Sequence, residues 1–144
     1  MSRAGGFTLI EVLLSVAIIG LLVGLSLPVY LSFQNRNDVD IATQTIAETL
    51  RRGCAYSRAV QADSQWGVAI LPTAITLFKG SSYASRDTTA DETVTLPAVA
   101  TVSGLTEVVF GKLSGTPTAT GTITLTSPAT TRSISLNAKG MVDY

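Results

Sequence analysis

The chain divides, by its pattern of apolar and polar positions, into a long apolar segment, an amphipathic segment and a strand-rich remainder. Residues 7–33 contain a single charged side chain, Glu11. The uncharged run from Val12 to Phe33 would be about 33 Å long as a helix, enough to cross a bilayer core of about 30 Å. The sequence therefore predicts a membrane-spanning helix over residues 7–33.

Beyond Phe33 the apolar positions recur every three or four residues, which places them on one stripe of a helix. We predict that the helix continues over residues 34–64, packs this stripe on a globular domain, and ends at Asp63 and Ser64. The stripe consists of Val39, Ala42, Ile46, Leu50 and Cys54. A solvated charged face is predicted for Arg36, Asp38, Asp40, Glu48, Arg51, Arg52 and Arg58.

The remainder, residues 65–144, is rich in Thr, Ser, Val and Ile and in turn signals, which is typical of β-strands. Loops are predicted over residues 80–91 and 114–121. The fold class is therefore α+β, with a long N-terminal helix packed on an antiparallel β-sheet domain. Strands are predicted at 66–70, at 75–78, around Val94 and Leu96, at 106–110, in a hairpin of 123–125 with 134–136, and at 139–142.

Composition excludes several kinds of chemistry. The chain has 144 residues, a formal net charge of zero, no histidine and one cysteine, Cys54. Ser-His-Asp and Cys-His catalysis, the usual Cys/His zinc sites and an intrachain disulfide are therefore excluded. The adjacent acids Asp91 and Glu92 would point to opposite faces of a strand, which is poor geometry for acid–base catalysis. We predict neither an enzyme nor a cofactor.

Glu11 is the residue that calls for an explanation. A carboxylate in a membrane helix costs roughly 2.5–3.5 kcal/mol on insertion scales, so it is expected to have a partner. The alternative is a side chain that reaches the lipid headgroups, since Glu11 lies within two turns of the helix start. A cleaved secretory signal is disfavoured, because Gly5 and Gly6 precede the apolar run and cleavage there would leave the helix attached.

The segment Gly5-Gly6-Phe7-Thr8-Leu9-Ile10-Glu11-Val12-Leu13 resembles the class III signal of the type IV pilin and type II secretion pseudopilin superfamily. The resemblance implies that a prepilin peptidase removes residues 1–6 by cutting between Gly6 and Phe7, and methylates the new amino terminus. Glu11 then becomes the fifth residue of the mature chain. Pro28 matches the proline expected at the twenty-second mature position.

The resemblance also implies partners and a location. The subunit would be a single-pass protein of the bacterial inner membrane, with its globular domain outside the cytoplasm, before an inner-membrane assembly platform adds it to a filament. Glu11 would meet the Phe7 amine of a neighbouring subunit and set the assembly register. Gly20 and Gly24 form a small-xxx-small pattern that permits close helix packing, and with Pro28 they favour local unwinding.

A second resemblance concerns the C-terminal part of the chain. The segment from Arg132 to Gly140 is similar to the GspH/FimT group of minor pseudopilins and pilins, which implies an H-like minor subunit. Some members of that group bind DNA through a Gly-Arg-x-Arg element. Here Met141, Val142 and Asp143 follow Gly140, so we do not expect nucleic-acid binding. A major pilin and a pilus-borne adhesin or DNA-binding minor pilin are the alternatives.

Calcium is the one metal that the resemblance brings into consideration, because major pseudopilins often bind it in a late loop. Asp87, Asp91 and Glu92 could supply oxygen ligands. Their spacing fits no recognised calcium loop, so no metal site is predicted.

Overall fold

A computed structural model describes residues 6–98 and 100–144, and the side chains of residues 25–27 are not included in that description. The predicted leader over residues 1–6, apart from Gly6, lies outside the described residues. The chain forms two compact units, Met1–Gln34 and Asn35–Tyr144.

One long helix, α1, spans Leu9–Arg58 and contains Pro28. It begins two residues later than predicted, because Thr8 caps its first turn. Its N-terminal stretch is long and apolar enough to cross a membrane. Apolar side chains of this stretch are exposed, for example Leu9 at 79% and Leu21 at 65%.

The helix ends at Arg58, five residues before the predicted end at Asp63. Val60 adopts a left-handed backbone conformation (φ 53°), which a β-branched residue in a helix avoids. Ser57 is already engaged by the β domain, since its hydroxyl accepts the Trp66 N–H (2.8 Å) and its carbonyl accepts the Leu113 N–H (3.0 Å). The chain then makes a short 3₁₀ turn, Gln61–Asp63.

The second unit contains two antiparallel four-stranded sheets in its described residues. The first has the order β3-β2-β1-β5 and the second has the order β4-β6-β7-β8. The strands are β1 (Trp66–Ile70), β2 (Ala74–Lys79), β3 (Asp87–Thr95), β4 (Thr101–Gly104), β5 (Glu107–Phe110), β6 (Gly121–Thr126), β7 (Thr131–Leu136) and β8 (Val142–Asp143).

The predicted strands with apolar alternation are present: β1, β2, β5 and the β6–β7 hairpin all form. The strand predicted around Val94 and Leu96 is present in part, as the end of β3, which stops at Thr95. Three details differ from the prediction. β3 starts at Asp87, inside the predicted loop over residues 80–91, and β4 was not predicted. β4 and the first part of β3 are edge segments with mainly exposed side chains, so they carry no apolar alternation. The closing strand contains Val142 and Asp143, because residues 137–140 form a turn in which Gly140 has a φ of 76°.

The core lies between α1 and the two sheets. The predicted stripe of α1 is buried throughout, with Val39, Ala42, Ile46 and Leu50 at 0% exposure and Cys54 at 5%. It belongs to one apolar cluster with residues of both sheets. The predicted α+β fold, with a long N-terminal helix packed on antiparallel sheets, is therefore confirmed. The sheet residues of this cluster include Val68, Leu77, Phe110, Ile123, Leu125 and Ile134.

Candidate functional site

The start of α1 is organised by Thr8. The Glu11 N–H donates to both Thr8 Oγ1 (3.3 Å) and the Thr8 carbonyl (3.1 Å), and the Val12 N–H also donates to that carbonyl (3.2 Å). Thr8 is therefore the N-cap residue, and Glu11 is the third residue of the helix. Thr8-Leu9-Ile10-Glu11 has the spacing of a capping box, a sequence signal that could have identified Thr8 in advance.

Glu11 lies in the first turn of α1, where the positive end of the helix dipole favours a carboxylate. Its backbone carbonyl accepts the Ser15 hydroxyl at 2.7 Å. Its side chain is exposed and makes no hydrogen bond or ion pair within the described residues. Among residues 6–98 and 100–144, the carboxylate is therefore exposed and unpaired.

The predicted cleavage point, between Gly6 and Phe7, precedes the helix in an irregular stretch. Phe7 is 83% exposed. A Cβ added at Gly6 would meet no atom within 4 Å. The peptide bond between these residues is accordingly accessible in the chain as described.

Gly20 and Gly24 lie one helical turn apart on α1. A side chain at either position would contact nothing within 4 Å, so neither glycine is required by packing inside the described chain. The helix continues through Pro28 without interruption. Close packing and local unwinding at these three residues remain predictions about the assembled state.

The acids considered as metal ligands are not brought together. Asp87 pairs with Lys79 (3.4 Å), Asp91 with Arg86 (2.8 Å) and Glu92 with Arg52. The Thr89 hydroxyl and N–H, together with Lys79, hold the pKa of Asp87 below its ordinary value. No group of three or more possible metal-ligating side chains occurs among residues 6–98 and 100–144.

The arginines of α1, predicted to form a solvated face, are exposed but make contacts with the β domain. Arg51 donates to the Val142 carbonyl (3.0 Å), and Arg58 donates to the Lys139 carbonyl (3.0 Å). Hydrogen bonds to Tyr56 and Glu92 raise the pKa of Arg52. These side chains therefore tie the helix to both sheets, through Glu92 of β3 and Val142 of β8.

Residues 1–27 match the family model of the prokaryotic N-terminal methylation motif. No curated protein and no solved structure gives a significant match to the chain. The methylation motif is the sequence that marks prepilins for processing, and it contains Gly6, Phe7 and Glu11. Residues 1–27 of this chain therefore constitute the prepilin-type motif of the type IV pilins and pseudopilins, and the α+β architecture of the whole chain is pilin-like.

Proposed function

We propose that this protein is a structural subunit of a type IV pilus or a type II secretion pseudopilus. A prepilin peptidase cleaves it between Gly6 and Phe7 and methylates the Phe7 amine. The mature subunit is held in the bacterial inner membrane by residues 7–33, with the β domain of residues 65–144 outside the cytoplasm. An assembly platform then moves it into a filament made with other pilin or pseudopilin subunits.

One observation carries the proposal. Glu11 stands alone as a charge in an apolar helix, one turn after the proposed cleavage point, and it has no partner within the described chain. Cleavage creates an amine on Phe7. The low dielectric of a lipid or protein core strengthens the attraction between this amine on one subunit and the carboxylate on the next.

The exposed apolar stretch of α1 supports the same proposal. In lipid these side chains are surrounded by acyl chains that are equally apolar, so no hydrophobic effect drives the helices together. Helix association there depends on packing and on polar contacts. Outside lipid they contribute about 25 cal/mol for each Å² removed from water, provided that neighbouring helices cover them. Gly20 and Gly24 leave room for such neighbours.

The finer assignment within this proposal is an H-like minor pseudopilin. It rests on the similarity of the segment from Arg132 to Gly140 to the GspH/FimT group. A structural role, rather than an enzymatic one, agrees with the prepilin motif, which belongs to filament subunits.

The test starts from the mature N-terminus. Mass spectrometry of the protein from its native membrane should find a chain that begins with methylated Phe7, and Gly6→Leu should abolish this cleavage. Glu11→Ala should leave membrane insertion and cleavage intact while filaments are lost. Retention of Met1 to Gly6 in the native product, or normal filament yield from Glu11→Ala, would contradict the proposal.

A further inference from the structure

The second sheet has two open edges within the described residues, one on β4 and one on part of β7. β8 pairs only with Ser135 and Leu136 of β7, so residues 131–134 have no neighbouring strand on that side. At the opposite edge, β4 (Thr101–Gly104) pairs with β6 and has no strand beyond it. Both edges belong to the same compact unit, Asn35–Tyr144.

The unpaired backbone groups of β7 are those of Thr131 and Ser133. Successive residues of a strand direct their N–H and C=O groups alternately to one neighbouring strand and to the other. The Asn137 N–H donates to the Met141 carbonyl at 3.1 Å, on the β8 side of β7. Residues 131 and 133 have the same parity, so their backbone groups point to that side, where no strand lies among residues 6–98 and 100–144.

The same alternation identifies the unpaired groups of β4. The Leu105 N–H donates to the Thr122 carbonyl of β6 at 3.4 Å, so Val102 and Gly104 direct their backbone groups away from β6. In the part of the chain that the structure describes, these outward groups make no backbone hydrogen bond. Each open edge therefore offers two residues with free N–H and C=O groups.

β3, an edge strand of the first sheet, is protected against pairing with another strand. It carries Asp87, Asp91 and Glu92, and its pairing with β2 contains an irregularity in register. Charged side chains and bulges are features by which proteins keep edge strands from pairing. β4 contains no charged residue, and the one charge in residues 131–134, Arg132, is held by Asp40 at 2.7 Å. The open edges of the second sheet therefore lack the protection found at β3.

A groove of about 400 Å³ lies beside Arg132, between β7 and α1. It is lined by Asp40, Thr43, Gln44, Arg132 and Tyr144. The charges of Asp40 and Arg132 offset each other, and the remaining lining side chains are uncharged. The groove therefore suits a strand with small, uncharged polar side chains.

We propose that β4 of a second copy of this chain adds to the open part of β7, in line with β8, as an antiparallel strand. This inference rests on the proposed function in its coarser form, a filament subunit, because a filament supplies the second copy. Val102 of the second copy lies opposite Ser133, and Gly104 of the second copy lies opposite Thr131. Each of these pairs exchanges both of its N–H···O bonds, so none of the outward groups of these residues stays unpaired.

This register places hydroxyl side chains in the groove. Ser103 of the second copy lies opposite Arg132, and directly opposed residues project from the same face of a sheet. The side chain of Arg132 points towards α1, where it meets Asp40. Ser103 of the second copy therefore also points towards α1 and reaches the groove lined by Thr43 and Gln44.

The two copies lie on opposite faces of the joined sheet. Val102 packs against the core of its own copy, whereas Ser133 is exposed on the outer face of β7. Because these residues are opposed, the core side of one copy continues the outer side of the other, and the two α1 helices do not compete for space. Tyr144 marks the junction of β8 with the added strand, and its ring lies 5.1 Å from Arg51 of α1.

The contact joins two different edges, so it does not close on itself. A heterologous contact of this kind leaves β4 open on one copy and β7 open on the other, and further copies can add in the same way. Such growth agrees with a filament subunit.

Disulfide formation tests the register. Opposed residues of an antiparallel pair have Cα atoms about 4.5–5.5 Å apart, which is within the range of disulfides. Every subunit first receives Cys54→Ala. Two such subunits with different tags, one with Val102→Cys and one with Ser133→Cys, are produced as minorities beside Cys54→Ala subunits in the native host, and the filaments are oxidised.

A dimer that carries both tags is expected from Val102→Cys with Ser133→Cys, and also from Ser103→Cys with Arg132→Cys. The matched controls exchange the partners: Ser103→Cys with Ser133→Cys, and Val102→Cys with Arg132→Cys. These combinations place the two thiols on opposite faces of the joined sheet and should lose the dimer.

Filaments that form normally but give no doubly tagged dimer from either opposed pair, or as much from the exchanged pairs, overturn the inference alone. Dimers that carry one tag twice would show a contact between like edges and would also overturn it. Absence of any filament from the unmodified chain overturns the proposed function with it.

Discussion

Gly53 of α1 lies directly against Val68 of β1, at a point where the helix has no room for a side chain. A Cβ at position 53 would be 3.1 Å from Val68 Cγ2, and it would also approach Phe110 (3.2 Å) and Leu77 (3.3 Å). All three neighbours are fully buried. The close approach of helix and sheet therefore depends on this glycine.

Replacement of Gly53 by leucine should destabilise the β domain. Overpacking a well-filled core costs about 1–3 kcal/mol, so we expect the free energy of unfolding to fall by that amount in a fragment that begins at Asn35. Urea denaturation followed by Trp66 fluorescence measures it. Ala55→Leu, at an exposed position of the same helix, is the control and should change stability by less than about 0.5 kcal/mol. Equal effects would show that the contact at Gly53 is unimportant.

Thr8 should affect filament assembly, because it caps the helical turn that holds Glu11 in position. Loss of an N-cap oxygen costs about 1 kcal/mol and frays the first turn, which contains Glu11. We expect Thr8→Val to lower filament yield while membrane level and cleavage stay unchanged. Thr8→Ser keeps the acceptor oxygen and should assemble as the natural chain does. Filament yield by shearing and immunoblotting distinguishes the two, and a normal yield from Thr8→Val would contradict the capping role.

The carboxyl of Asp87 should titrate below its ordinary pKa of 3.8, because it accepts hydrogen bonds from the Thr89 hydroxyl and N–H and lies near Lys79. A carboxyl with a lowered folded-state pKa contributes stability above its unfolded pKa, and this contribution is lost as the pH falls through the folded value. Thr89→Val removes the hydroxyl donor and should raise the pKa of Asp87. Carbon-detected NMR titration measures the change.

Thr88→Val is the matched control for that titration, since Thr88 is an exposed neighbour on the same strand. It should leave the pKa of Asp87 where it is. An unchanged value in Thr89→Val would show that the hydroxyl has no influence on the carboxyl.

Calcium should not stabilise the β domain. Asp87, Asp91 and Glu92 each face a different cation, Lys79, Arg86 and Arg52 respectively, so they offer no common site for a metal ion. We expect the same Tm in millimolar calcium chloride, in magnesium chloride and in a chelator. A rise in Tm that is specific to calcium and disappears in Asp87→Asn would contradict this expectation.

The strands that could be predicted carry apolar side chains at alternate positions, whether both faces are buried, as in β1, or only one, as in β7. Val68 and Ile70, or Ile123 and Leu125, alternate with residues of the opposite face, and this alternation is visible in the sequence. β3 and β4 are edge strands held by backbone hydrogen bonds to β2 and β6. The alternation of Val94 and Leu96 marked only the end of β3. The polar side chains of β4 and of the first part of β3 carry no such signal, because backbone pairing does not depend on side-chain polarity.

The C-terminal end of α1, at Arg58, is a second feature that the sequence alone could not predict. Charges and small residues between Arg58 and Ser64 are compatible with continued helix. Ser57, however, accepts hydrogen bonds from the backbone N–H groups of Trp66 and Leu113. Trp66 belongs to β1, and Leu113 is distant in sequence. Contacts of this kind arise only after the sheets have formed.

The candidate site at the start of α1 was predictable because it is local. Gly6, Phe7 and Glu11 lie within six residues, and one charge in an apolar run is recognisable without any tertiary contact. The N-cap role of Thr8 is equally local and follows from its spacing to Glu11.

The sequence by itself determined the apolar helix, its single acid, the buried stripe on its second part and the α+β class, since these depend on residue type and period along the chain. Only the tertiary structure decided which cations pair with which acids. Arg132 forms an ion pair with Asp40, and Arg52 forms an ion pair with Glu92. Spacing on α1 favours pairs within the helix. The β domain instead brings other counter-charges to Asp40 and Arg52, and so leaves Arg36 and Glu48 without an ion pair among residues 6–98 and 100–144.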